Sequence, residues 1–229
     1  DDLTLTENAQ PALMATTLAA FRALQSEGLN KGDAKFIAGH SLGEYSALAM
    51  AGSLSISDAA KLLRIRGKAM QNAVPVGIGA MAAIIGLNYS DLVEIAKTAA
   101  KNEVCQAAND NDPSQVVISG HKAAVERAIE IAKAAGAKRA VLLPVSAPFH
   151  SELMAPASLE MKDALSTISI VEPVIPLVSN VKALAVTLPD EIRSLLVEQV
   201  TGVVRWRESI EWMARNGVTE MWEIGAGRA

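Results

Sequence analysis

Lys35-Phe36-Ile37-Ala38-Gly39-His40-Ser41-Leu42-Gly43-Glu44-Tyr45-Ser46-Ala47-Leu48-Ala49-Met50-Ala51 is the stretch on which the reading of this chain turns. Residues 35–38 are short and apolar, as a buried strand should be, and residues 44–51 are rich in helix formers and stop at Gly52. Strand, tight turn and helix in that order form a nucleophile elbow: the serine holds a strained conformation at the tip, and Gly39 and Gly43 let strand and helix approach closely. The helix N-terminus then lies under the Ser41 hydroxyl, where N–H groups and the helix dipole favour developing negative charge. The bland alternative is a glycine-rich turn that merely packs a helix on a sheet. The strand and helix on either side favour a nucleophile.

Outward from the elbow the chain alternates helices and strands. Residues 11–27 read as a helix stopped by Gly28, and Ser57 is expected to cap a helix over 58–72. Pro75-Val76-Gly77-Ile78-Gly79 reads as a hinge. Beyond it come strand 80–86, helix 90–101, strand 103–108, a turn at Asn109-Asp110-Asn111-Asp112-Pro113, strand 115–119, helix 122–135 and strand 139–145, with Gly136 as a helix stop. That βαββαβ order is the split pattern of a ferredoxin-like subdomain, inserted into a larger α/β domain. The expected division is 1–76 with 146–229, and 77–145. The larger domain resumes with helix 155–167, strand 174–179, helices 189–200 and 206–216, and a closing strand over Glu220-Met221-Trp222-Glu223-Ile224. The first residue is not Met, and the chain is expected to continue beyond both ends.

Composition narrows the function classes. The 229 residues are half hydrophobic but only 3% aromatic, so the core must be built from Ala, Val, Leu, Ile and Met. No apolar run reaches the roughly 18 residues of a membrane span, no secretory leader opens the chain, and a cytoplasmic protein is expected. A net charge of −4 without a dense Lys/Arg stripe argues against a nucleic-acid binder. The single Cys105 can form no intrachain disulfide, cannot supply a zinc site, and reads as a small buried apolar residue.

A serine nucleophile needs a base, and there are three histidines. His40 sits inside the elbow with its side chain directed away from Ser41. His121 opens a helix, where local turn or cap bonding is expected. His150, in Pro148-Phe149-His150-Ser151, follows the strand that returns the chain to the large domain, where α/β domains gather catalytic groups. By elimination it is the general base, and a hydrogen-bonded structural histidine is the alternative. Arg66 is the other unusual residue. It lies on the apolar stripe of its helix with Leu62, Leu63, Ala69 and Met70, and no acid stands three or four residues away. Such an arginine either snorkels to solvent or meets an anion from elsewhere; beside a serine nucleophile that anion would be a substrate carboxylate. Arg64 and Lys68 read as a solvated face.

Several segments together resemble a known family: residues 39–47, Arg64-Ile65-Arg66-Gly67-Lys68-Ala69-Met70-Gln71, Gly79-Ala80-Met81-Ala82-Ala83-Ile84, Ala108-Asn109-Asp110-Asn111, residues 115–121, residues 144–151 and Glu223-Ile224-Gly225-Ala226-Gly227. In this order they are similar to the malonyl-CoA:acyl carrier protein transacylases. The resemblance implies an α/β-hydrolase-like large domain with a ferredoxin-like insertion. It implies that Ser41 carries a malonyl ester, that His150 is its base oriented by the Gln199 backbone carbonyl, and that Arg66 pairs with the malonyl carboxylate. Phe149 matches a residue associated with excluding a methyl branch, and His40 is expected to contact substrate as well. Leu42, following the nucleophile, would give one oxyanion N–H. The family's N-terminal strand, with the Gly-Gln-Gly-Ser-Gln loop that supplies the second donor, is absent from this sequence, as is the family's C-terminal end.

The implied reaction uses malonyl-CoA and the phosphopantetheine thiol of acyl carrier protein, with no cofactor or metal, no nucleic acid, no membrane and a monomeric enzyme. Carrier protein is acidic, and Lys138, Arg139, Arg205 and Arg207 are candidate docking residues. The competing readings are a serine thioesterase or hydrolase, an acyltransferase domain of a larger polyketide or fatty acid synthase, and a non-catalytic scaffold module.

Overall fold

In a computed structural model, residues 2–145 and 147–227 are described; Ser146, at the expected subdomain boundary and inside one of the quoted motifs, lies outside them, as do Asp1, Arg228 and Ala229. The chain folds as a mixed α/β protein with two small sheets.

The first sheet carries the elbow. Strand β1 (Ile37–Ala38) pairs in parallel with β6 (Leu177–Val178), and β6 pairs antiparallel with β7 (Ala185–Val186). Helix α1 (Thr6–Ser26) precedes β1, and α2 (Gly43–Met50) and α3 (Ile56–Asn72) follow it. The N-terminal ends of α1 and α3 differ instructively from the sequence expectation. Helix α1 starts at Thr6 rather than at Pro11, which therefore sits inside the helix and withholds an N–H from the Glu7 carbonyl. Arg64 Nη1 donates to that carbonyl at 2.9 Å and also bonds Asn8, so Arg64, with its side chain still 41% exposed, also repairs the helix. Ser55, not Ser57, caps α3: its hydroxyl accepts from Asp58 N–H at 3.0 Å. The two helices cross closely at Gly67, where a Cβ would stand 2.5 Å from Glu7 Cα. Met14, Leu18, Phe21, Leu62, Leu63 and Met70 are buried in the core that α1 and α3 share with α2 and with the later helices α6 (Ala155–Ser166) and α7 (Pro189–Glu198).

The second sheet has the order β3-β4-β2-β5, from β2 (Gly79–Ile85), β3 (Cys105–Asp112), β4 (Gln115–His121) and β5 (Arg139–Leu142), with every neighbour antiparallel. Helices α4 (Tyr89–Ala100) and α5 (Lys122–Ala134) cover one face over a core of Ala82, Ile84, Leu92, Val116, Ile118 and Val125. This is the ferredoxin-like arrangement. Residues 109–112, expected as a turn, continue β3, and the reversal is confined to Pro113–Ser114. The strand continues because Asn109, Asp110 and Asp112 pair with Val117, Val116 and Gln115 of β4. Its other edge is bonded as well: Asp110 N–H donates to Val204 O at 2.9 Å and Val204 N–H to Ala108 O at 2.8 Å. The edge of β3 is thus covered by the segment leading into α8 (Trp206–Arg215), and Arg207 binds the buried Asp110 carboxylate through Nη2 at 2.7 Å. The opposite face of the sheet, with Met81, Ala108 and Val117, meets Phe149, which also touches the first core.

One expected strand does not form. Residues 220–224 form no strand with the described residues, and Met221 and Trp222 are exposed. Trp222 and Ile224 favour an extended segment, but a strand exists only where a neighbouring ladder accepts it. No helix of the described residues is long and apolar enough to cross a membrane.

Candidate active site

The elbow is held by backbone geometry and by one asparagine. A Cβ on Gly39 would lie 2.0 Å from the Gly43 carbonyl oxygen, so glycine is required where strand meets helix. Gly43 is different: a Cβ there would meet nothing within 4 Å, so only the first of the two glycines is sterically needed. Gly43 N–H donates to His40 O at 2.8 Å and Glu44 N–H to Ser41 O at 3.1 Å, closing the turn. Ser41 itself has φ 52°, a left-handed conformation that a serine adopts only when its surroundings enforce it. Asn180, two residues past β6, enforces it: its Oδ1 accepts Ser41 N–H at 2.7 Å while its Nδ2 donates to Gly39 O at 2.8 Å. The Leu42 N–H, next in the chain, has no acceptor among the described residues.

His150 arrives on a second strained turn, with φ 55°. The Ser151 hydroxyl donates to Pro148 O at 2.7 Å and fixes that turn. His150 Nε2 lies 2.7 Å from Ser41 Oγ, and Nδ1 lies 2.9 Å from the Gln199 carbonyl. A carbonyl can only accept, so Nδ1 carries the proton and Nε2 is left bare toward the serine. Burial, reinforced by the charge of Arg66, pulls the imidazole down to about 3, against the bond to Gln199, so the ring is neutral at physiological pH. Among the described residues no carboxylate bonds it.

Arg66 is 1% exposed, which rules out snorkelling. Its Nη1 donates to Gln10 Oε1 at 2.7 Å; its Nη2 donates to Gln199 Oε1 at 2.8 Å and to Ser41 Oγ at 3.1 Å. Nε has no partner, and the guanidinium lies 5.8 Å from the Tyr45 ring centroid. The cation is therefore held by neutral amides and pointed at the nucleophile. Burial draws its affinity for the proton down, with Tyr45 and Glu44 opposing.

Three residues of this site escape sequence reading. Gln10 lies on α1, far from any motif. Glu44 and Asn180 form a buried network with Gln199: Asn180 N–H donates to Glu44 Oε1 at 2.8 Å, and Gln199 Nε2 donates to Glu44 Oε2 and, at 2.9 Å, to Ser41 O. Burial pushes the Glu44 carboxyl up to about 7, opposed by its bonds to Asn180 and Gln199 and by the charge of Arg66. The one available signal was Glu44 itself, an acid inside an otherwise apolar helix. His40 turns its ring to Asn111, with Nε2 2.9 Å from Oδ1, and lies edge-on to Trp206. It thus bridges the elbow and β3. His121 accepts Val104 N–H through Nδ1 at 2.9 Å and forms no side-chain helix cap. Of the docking candidates, Arg205 and Arg207 are engaged by Glu208, Asp110 and Glu211, whereas Lys138 and Arg139 are exposed.

An elbow serine bonded to a neutral histidine, beside a buried arginine, on an α/β scaffold is an arrangement chemically suited to serine acyl transfer, with a backbone carbonyl standing where hydrolases place an acid. The comparisons with known proteins agree. The acyl transferase domain family matches residues 1–216. The malonyl CoA-acyl carrier protein transacylase of Escherichia coli K12 is 47% identical over 228 residues, covering 100% of this chain and 73% of the relative. Its Bacillus subtilis counterpart is 46% identical over 229 residues, covering 100% and 71%. The crystal structure of acyl-carrier-protein-S-malonyltransferase from Bartonella henselae is 58% identical with a TM-score of 0.96, over 99% of this chain and 73% of that one. A type II PKS acyl-carrier protein in complex with its malonyl-transacylase matches at 44% identity and TM-score 0.95, over 99% and 72%. The chain belongs to the malonyl CoA-acyl carrier protein transacylases.

Proposed function

We propose that this chain moves a malonyl group from malonyl-CoA to the phosphopantetheine thiol of acyl carrier protein by a ping-pong route through a malonyl ester on Ser41. The observation that carries the reading is the pair of contacts on Ser41 Oγ: a bare histidine nitrogen at 2.7 Å on one side and a guanidinium nitrogen at 3.1 Å on the other. The first activates the oxygen. The second offers a charged anchor for the carboxylate at the far end of a three-carbon acyl group.

In the first half-reaction the Ser41 hydroxyl proton passes to His150 Nε2 as Oγ bonds the thioester carbonyl carbon. The Leu42 N–H, free and at the mouth of α2, faces the resulting oxyanion. Collapse breaks the C–S bond, and the departing coenzyme A sulfur takes the proton from Nε2. In the second half the carrier thiol gives its proton to Nε2, attacks the ester carbonyl, and Ser41 leaves with that proton. The Gln199 carbonyl keeps the imidazole in one tautomer throughout and accepts from Nδ1–H while the ring is charged.

Arg66 also bears on the base. Its charge is the second cause of the low His150 basicity, so a malonyl carboxylate that neutralises it makes His150 a better base when the right acyl group is bound. Phe149, between the two cores, is suited to bounding the acyl pocket, and His40, tied to Asn111, to forming its other wall. The chemistry uses no cofactor, and among the described residues no group of three or more His, Cys, Asp or Glu side chains could hold a metal ion. The reading further places the enzyme in the cytoplasm, and divides the chain into a discontinuous elbow-bearing domain and a ferredoxin-like subdomain over 77–145. Intact mass spectrometry tests the route: malonyl-CoA alone should add one malonyl group, carrier protein should remove it, and Ser41→Ala should take no label. A persistent adduct in Ser41→Ala would move the nucleophile elsewhere.

A further inference from the structure

Gln199 has two separate functions at this site. Its main chain accepts from His150, while its side chain lies between Glu44 and Arg66. An amide has a donor end and an acceptor end, and which end faces Arg66 is decided by what binds the other. Here Nε2 donates to the Ser41 carbonyl, which can only accept, and to the Glu44 carboxyl, which in its ionised form is likewise acceptor-only, leaving Oε1 for Arg66 Nη2. That same Nη2 is the nitrogen 3.1 Å from Ser41 Oγ. Turned over, the amide would set oxygen against carboxylate and carbonyl, and NH2 against guanidinium. Three favourable contacts would become three repulsive ones.

Glu44 is itself fixed in place. Its other oxygen accepts the main-chain N–H of Asn180, whose side chain clasps the elbow on both sides of His40. We propose that Glu44 is the positioning residue for malonyl selectivity: a two-oxygen acceptor that fixes the direction of the Gln199 amide and thereby holds Arg66 aimed at the acyl group on Ser41. Glu44 contacts neither base nor nucleophile side chain, so its effect reaches the substrate only through Gln199, Asn180 and Arg66.

The proposal rests on Arg66 being the carboxylate anchor, and the experiment separates the two. Replacing Glu44 by Gln leaves one oxygen, which Asn180 N–H occupies; the new NH2 then confronts Gln199 Nε2. Either the Gln199 amide turns or two donors oppose each other, and in both cases Arg66 loses its fixed aim. Rates of Ser41 acylation by malonyl-CoA and acetyl-CoA are measured in wild type, Glu44→Gln, Arg66→Ala and the double variant, with phosphonate labelling of Ser41 to count competent sites. In Glu44→Gln the malonyl:acetyl ratio of kcat/KM should fall about tenfold, the worth of one charge-assisted hydrogen bond, mainly through the malonyl KM. In the Arg66→Ala background the same change should leave the ratio where Arg66→Ala already put it.

Equal losses on both acyl groups per labelled site would reduce Glu44 to a fold residue and overturn the proposal, as would a further drop in ratio without Arg66. If Glu44→Gln fails to fold, Gln199→Leu, which keeps the carbonyl that His150 needs, replaces it and must lower the same ratio. If Arg66→Ala leaves the ratio unchanged, the anchor assignment itself is wrong.

Discussion

Removing Arg66 should separate malonyl from acetyl transfer, because its guanidinium acts on the two acyl groups in opposite directions. For malonyl the loss is that of a charge-assisted hydrogen bond to a carboxylate, about 1.5–3 kcal/mol, or about 10-fold to 150-fold in kcat/KM. For acetyl there is no carboxylate to lose. There is instead a gain: the Arg66 charge is the second cause holding His150 down to about 3, and its removal makes the base stronger. The fold cost falls on both substrates alike. Gln10 and Gln199 each lose a partner within a buried site, but the space left is lined by amides and can take water, which limits that penalty. Arg66→Ala should therefore lower malonyl acylation of Ser41 by about 10-fold to 150-fold while acetyl acylation holds or rises. Rapid quench of each acyl-CoA with the protein, read by intact mass and normalised to phosphonate-reactive sites, measures both. Parallel losses on the two substrates would refute the reasoning and leave Arg66 as a support of the elbow.

The low basicity of His150 gives a pH prediction. Its folded value lies below the ordinary 6.5, so the neutral, competent form persists as pH falls through 6.5 and is lost only near 3. Phosphonate labelling of Ser41 should stay level from pH 8 to pH 5, and a fall with a midpoint near 6.5 would mean an exposed, ordinary imidazole. The two elbow glycines should respond differently to Ala: Gly39→Ala forces a Cβ into the Gly43 carbonyl and should abolish soluble folded protein, whereas Gly43→Ala should shift thermal stability by less than about 1 kcal/mol. Arg207→Met strands the buried Asp110 carboxylate at the edge of β3 and should cost about 1–3 kcal/mol in urea unfolding. An unchanged midpoint would mark the pair as a surface contact.

The local sequence around Ser41 was sufficient to foresee a strand, a turn and a helix, since each depends on propensity and on glycine within a few residues. The βαββαβ order was legible for the same reason: six segments with turn residues between them follow from periodicity and local punctuation. The elements that sequence misread depend on pairing partners rather than on local propensity. Residues 109–112 are strand because β4 pairs with them, while the Val204 segment bonds their other edge; residues 220–224 are not because no strand among the described residues accepts them. Among the site residues, His150 could be reached by elimination among three histidines, and Arg66 by standing on an apolar stripe without a nearby acid. The distances of 2.7 Å and 3.1 Å to one oxygen could not.

By itself, then, the sequence indicated the class of fold and singled out Ser41, His150 and Arg66 as candidates, because those follow from periodicity and residue chemistry, while leaving open whether Arg66 is buried or reaches solvent. Only the tertiary structure decided how they are held. Gln10 on α1, Glu44 on α2, Asn180 after β6 and Gln199 after α7 converge from four parts of the chain, and each is an ordinary polar residue in its own neighbourhood. Hydrogen-bond direction is a property of pairs, and the side-chain bonds of these four residues span from 56 residues, between Gln10 and Arg66, to 158, between Gln199 and Ser41.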